Sequence, residues 1–161
     1  MTTSGKTQPL PPIVIFAVGN PSRGDDALGP LLAEALNDWI RAENQAAQFE
    51  VIEDFQLNIE HALDLQGRKQ AIFVDASVNT AEPFCLTEIY PAPTFAHTTH
   101  ALPPEAVLQV YQQTLKTAPP PAFVLSIRGE SFELGAEPSA AAQSHLAAAL
   151  SFLKTHLLKA L

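Results

Sequence analysis

Strand-like and helix-like stretches alternate along this chain, which predicts an α/β protein: a three-layer αβα sandwich around a mainly parallel, twisted sheet. Three observations carry the prediction. Ile13–Val18 is continuously apolar and rich in β-branched residues, and Ala71–Val74 is fully apolar, as expected for strands buried on both faces. Leu28, Leu32, Ala35, Leu36, Trp39 and Ile40 then recur on one face at helical spacing. Between the first strand and this helix lies a glycine-bearing turn, AVGNPSRGDDALGP, so strand, turn and helix form half of a βαβ unit.

The remaining elements follow in order. Phe49–Ile52 reads as a second strand. Asn58 can cap a short helix through Leu65, with Leu57 and Ala62 or Leu65 as apolar contacts. Phe84–Tyr90 alternates as a strand nearer an edge does. Pro103 and Pro104 can open a helix through Leu115, because proline is tolerated in a first turn. Ala118–Pro121 breaks the pattern, and Ala122–Ile127 is a further strand. Ser139 can cap the last helix, whose apolar stripe is Leu146, Leu150, Leu153 and Leu157. Residues 1–12 read as a flexible tail and 13–161 as a single domain.

Composition narrows the function. A chain of 161 residues, 47% of them hydrophobic, suits one globular domain with a sizeable core. The formal charge of −8 argues against a nucleic-acid partner, which needs a basic face. The single cysteine, Cys85, allows neither an internal disulfide nor a cysteine metal cluster, and fits a reducing compartment. Its place inside a predicted strand suggests a small buried hydrophobe. The N-terminus lacks the apolar core of a signal peptide, and no apolar run approaches a membrane span, so a cytoplasmic protein without membrane contact is expected.

Gly19 and Gly24 are spaced as in a phosphate-binding P-loop, yet Asp25 and Asp26 stand where such a loop needs lysine and serine or threonine. Acids there repel phosphate and attract a cation. In a parallel sheet, sites form at the carboxyl ends of the strands. Asp25 and Asp26 follow the first strand, Asp75 ends the Ala71–Val74 strand, and His97 and His100 follow the Phe84–Tyr90 strand. Two carboxylates and an imidazole converging in one crevice suit a divalent transition metal. Competing readings exist for each: an aspartate at a helix start is ordinarily a cap, a strand-ending aspartate serves turns, and a lone histidine is ordinarily a surface or hydrogen-bonded residue. His61, His145 and His156 fall on predicted helices away from the strand ends and are set aside. Ser22 lacks the setting of a nucleophile elbow, and the dinucleotide fingerprint is absent.

GNPSRGDDALGP (Gly19–Pro30) resembles the N-terminal signature of the [NiFe]-hydrogenase maturation endopeptidases. IFVDAS (Ile72–Ser77), THALPPEAVLQV (Thr99–Val110) and RGESFELG (Arg128–Gly135) resemble later segments of that family, in the family's order. The resemblance implies a three-layer α/β fold, usually monomeric. It implies an endopeptidase that removes a C-terminal extension from the precursor of the hydrogenase large subunit after nickel insertion. By motif position the nickel ligands fall on Asp26, Asp75 and His100, while Gly19, Asn20, Gly24 and Asp25 shape the turn. Asp26 can alternatively act as a general base. The nickel would come with the precursor rather than being held tightly by the free protease. Ala27 departs from the glycine the family often has there; an ordinary helix start accepts alanine, whereas a positive φ would not. Two other classes stay open at this stage: a non-catalytic, nickel-sensing assembly chaperone and a metal-dependent hydrolase of small substrates.

Overall fold

The computed structural model describes residues 9–93 and 101–161. Five strands, β1 (Ile13–Val18), β2 (Phe49–Asp54), β3 (Gln70–Ser77), β4 (Phe84–Ile89) and β5 (Ala122–Arg128), form one sheet in the order β2-β1-β3-β5-β4. All neighbours are parallel except β4, which runs antiparallel to β5 at the edge. Three α-helices flank the sheet: α1 (Leu28–Ala42), α2 (Pro104–Leu115) and α3 (Ala140–Lys159). Two 3₁₀ segments, Gly24–Ala27 and Ile59–Leu65, complete the described elements. No helix among the described residues is long and apolar enough to cross a membrane.

Pleating explains why the central strands are apolar throughout. Successive side chains point to opposite faces, so Ile13, Ile15, Ile72 and Val74 pack with α1 and α3. Their neighbours Val14, Phe16, Ala71 and Phe73 pack with α2 and the Ile59–Leu65 segment. Phe16 and Phe73 stack at 4.8 Å between ring centres on that second face. Two cores on two faces of one sheet make the predicted three layers.

Both side-chain caps foreseen in the sequence are present. The Asn58 side chain accepts from the Glu60 amide at 2.9 Å, and Ser139 Oγ accepts from the Ala142 amide at 3.1 Å. Some boundaries differ. β3 does not stop at Asp75 but runs on to Ser77, because β5 continues to pair with it there. β1 pairs with β3 only as far as Val74. Cys85 is exposed, not buried: Phe84 and Leu86 turn toward the α1 and α3 face, and Cys85 points from the opposite side of an edge strand. At the other end, the carbonyls of Pro11 and Pro12 accept from Arg68 Nη1 and the Gln70 amide at 2.8 and 3.2 Å.

Candidate functional site

β1 has β2 on one side and β3 on the other, so the chain leaves it in opposite directions on the two flanks. This reversal opens a notch at the carboxyl ends of β1 and β3, where open α/β sheets place their sites. Two features meet there: the turn after β1, and Asp75 just beyond the last β1–β3 pair.

The turn folds tightly on itself. Gly19 has φ +153°, and a Cβ on it would collide with the carbonyl oxygen of Asp26. Gly24 has φ +55°, and its Cβ would lie 2.6 Å from the carbonyl oxygen of Ser131. Only glycine meets both demands. Ala27, by contrast, has φ −75° and ψ −6°, the ordinary helical conformation expected at a helix start.

Every backbone amide from Gly19 to Asp26 is already spoken for. Gly19 donates to the Asp54 carbonyl, Arg23 to Asn20, Gly24 to Ala136, Asp25 to Ser131 and Asp26 to Arg23. Ser22 donates to the Asn20 side chain at 2.9 Å, Asn20 donates to Asp26 Oδ2 at 2.8 Å, and Pro21 has no N–H. A P-loop works by presenting free amides to phosphate oxygens. This turn presents none and offers a carboxylate instead.

The two adjacent acids have separate roles. Asp25 is fully buried, and its carboxylate accepts from the amides of Glu130, Ser131 and Ser139 and from the Ser139 hydroxyl, at 2.7 to 3.2 Å. Burial alone would raise its pKa, but these donors to the charged form outweigh it and the pKa is lowered. The cap reading for Asp25 is therefore corrected, since no side chain caps its own 3₁₀ segment or α1. It ties the turn to the 130–139 segment. Asp26 is half-buried, with Oδ2 held by the Asn20 amide.

Asp75 is pushed up to about 6. Burial is the main cause; the Ser126 hydroxyl, 3.0 Å from Oδ1, offsets part of it, and the charges of Asp26 and Glu105 add to it. Asp26 and Asp75 thus lie close enough to feel each other. Asp75 lines a cavity of about 270 Å³ with Val18, Leu57, Phe73, Leu102 and Pro103. A larger cleft of about 610 Å³ beside α1 is lined by neither Asp26 nor Asp75. The perturbed carboxylate of Asp75 selects the smaller one, and Asp26 acts on that carboxylate through its charge without lining the cavity.

His97 and His100 lie outside the described residues. Among the described residues no group of three or more histidine, cysteine or acidic side chains is arranged to hold a metal. Asp26 and Asp75 could offer hard oxygen donors to a divalent cation whose remaining ligands come from elsewhere.

Two histidines set aside in the sequence lie at strand ends after all. His61 Nδ1 accepts from the Asn58 amide at 3.0 Å, and its Nε2 lies 3.4 Å from a carboxylate oxygen of Asp54, the last residue of β2. His145 Nδ1 lies 3.1 Å from the carbonyl oxygen of Arg128, the last residue of β5. Helices return toward the strand ends, so helix membership did not remove these residues from that edge. Ser126 and Glu105 also escaped sequence reasoning. The available signals were a lone hydroxyl in the apolar run AFVLSIR and an acid in the first turn after Pro103 and Pro104.

The fold is that of the hydrogenase maturation proteases of known structure. The chain is similar to the [NiFe] hydrogenase maturation protease HycI from Thermococcus kodakarensis KOD1, with 22% identity, a TM-score of 0.68, and 91% of this chain and 92% of that one covered. It is similar to the hydrogenase maturating endopeptidase HybD from E. coli at 20% identity and TM-score 0.68, over 92% and 93% of the two chains. For the [NiFe] hydrogenase maturation protease HybD from Thermococcus kodakarensis the values are 16% and 0.62, over 90% and 98%. No family model and no curated protein matches the chain.

Proposed function

We propose that this protein is an endopeptidase that removes the C-terminal extension of a nickel-loaded [NiFe]-hydrogenase large-subunit precursor. The observation that carries the reading is the pairing of Asp26 with Asp75 in the notch between β1 and β3, on the fold of the solved maturation proteases.

Nickel enters this reaction as part of the substrate. Asp26 and Asp75 meet it from the turn and from β3, and His100, one peptide bond before the cavity-lining Ala101, is the third ligand of the reading. Nickel supplies recognition of the mature cluster and Lewis acidity toward a peptide carbonyl. The protein contributes a tight turn that holds Asp26, a Ser126 hydroxyl that holds Asp75, and apolar side chains beside Asp75, among them Val18, Leu57, Phe73 and Leu102. Without the cation, two neighbouring carboxylates repel, so the precursor lacking nickel gains little from docking there. The free protease acts as a monomer in the cytoplasm.

The test mixes the purified protein with a nickel-loaded precursor and with the same precursor lacking nickel, and weighs the products. Loss of a C-terminal peptide from the loaded form alone is the expected result. A complex without any cleavage would make the protein an assembly chaperone instead, and cleavage of both forms alike would remove nickel from recognition.

A further inference from the structure

Asp75 and Ser126 are direct partners across the β3–β5 ladder, and their side chains share a face of the sheet. Ser126 interrupts the apolar run Ala122–Ile127 of β5, between the fully buried Leu125 and Ile127. Its hydroxyl donates to Asp75 Oδ1 at 3.0 Å. Asp26 carries the same feature, with Oδ2 held by the Asn20 amide at 2.8 Å. Among the described residues, each of the two carboxylates therefore has one oxygen engaged, Asp75 Oδ1 by Ser126 and Asp26 Oδ2 by Asn20. An unrestrained aspartate can rotate and bind through either oxygen or both; a hydrogen bond to one oxygen fixes the carboxylate plane and aims the other.

We propose that Ser126 is a positioning residue, which holds Asp75 as a one-oxygen ligand for the divalent nickel of the substrate. The inference rests on the reading of Asp75 as a ligand and adds to it the residue that orients it. Two one-oxygen carboxylates leave coordination positions free for donors brought by the partner, as a site that meets a metal already carried by its substrate requires. The effect acts through Asp75, the carboxylate to which the Ser126 hydroxyl donates.

The experiment is calorimetric titration of the untagged full chain with Ni²⁺, extended to millimolar concentration. Wild type is compared with Asp75→Asn, Ser126→Ala, and the matched pair Ser126→Thr and Ser126→Val, which share a shape and differ in the hydroxyl. Folding of each is checked by far-UV circular dichroism. Ser126→Ala and Ser126→Val are expected to bind Ni²⁺ about tenfold more weakly, the size typical of removing a partner of a metal ligand. Ser126→Thr is expected to retain wild-type affinity, a rescue that a purely structural role for the position does not give. If Asp75→Asn weakens binding and the Ala and Val variants bind as wild type does, the positioning role is overturned and the ligand reading survives. If Asp75→Asn leaves binding unchanged, or wild type binds no Ni²⁺, the ligand reading falls and the inference falls with it. Should Ser126→Ala fail to fold, the Thr and Val pair decides alone.

Discussion

Asp25 and Asp75 are both aspartates at the carboxyl edge of one sheet, and the protein treats them in opposite ways. Asp25 is sealed inside the turn among four donors and is held below the ordinary carboxylate range. Among the described residues Asp75 has the Ser126 hydroxyl as donor and the charges of Asp26 and Glu105 near it, and burial above all holds it at about 6. The first arrangement stabilises the charged form and spends it on holding segments together. The second leaves a carboxylate short of compensation, so an incoming cation gains what the protein withholds. The two acids differ in depth and in donors: Asp25 is fully buried among four, and Asp75 is half-buried beside the Ser126 hydroxyl.

The largest expected effect tests that division directly. Asp25→Ala removes a fully buried carboxylate that holds three amides and a hydroxyl, and should cost on the order of 3–5 kcal/mol in urea unfolding. Asp26→Ala removes one partner of one amide, and should cost about 1 kcal/mol or less while cleavage of the nickel-loaded precursor falls at least about a hundredfold. Equal destabilisation by the two would erase the contrast.

Asp75→Asn sharpens it through pH. A carboxyl with a raised folded pKa binds its proton more readily in the native state than in the unfolded chain. Wild type therefore loses stability as pH rises from about 4 to about 6, and carries the full cost above that. The variant should be more stable than wild type at pH 8, by roughly 2–3 kcal/mol, with the gap closing toward pH 4. A gap that stays constant across this window would show that Asp75 is not the group titrating. Asp25 has the opposite sign: its contribution is present above its unfolded value and is lost only as pH falls through its lowered folded one.

Two smaller effects probe the scaffold beneath Asp25. Gly24→Ala forces a left-handed residue with its Cβ 2.6 Å from the Ser131 carbonyl, and about 2 kcal/mol of stability should be lost. Ser139→Ala removes the α3 cap and one donor to Asp25, for about 1 kcal/mol. Thermal unfolding of both variants, read by circular dichroism, checks the order.

Much of the fold was legible because its signals are local. Continuous apolar runs marked β1 and the core of β3, helical spacing marked α1, and Asn58 and Ser139 marked where the Ile59–Leu65 segment and α3 begin. The acidic pair after a glycine turn marked the candidate site. Local pattern failed where an environment comes from another part of the chain. Cys85 sits on an alternating strand, and its exposure depends on which face of the edge strand β4 meets α1 and α3. Asp75 lies inside β3 because β5 extends beside it. His61 reaches Asp54 because its segment doubles back over the end of β2.

By itself, then, the sequence determined the layers, the caps and the chemistry on offer: glycines for a turn, acids for a cation, no basic face for phosphate. Only the tertiary structure decided that Asp25 turns inward and Asp26 outward, and that Ser126 stands beside Asp75. Adjacent residues in a tight turn point in opposed directions, and partners across a sheet are fifty-one positions apart in the chain, so neither relation is written in local spacing.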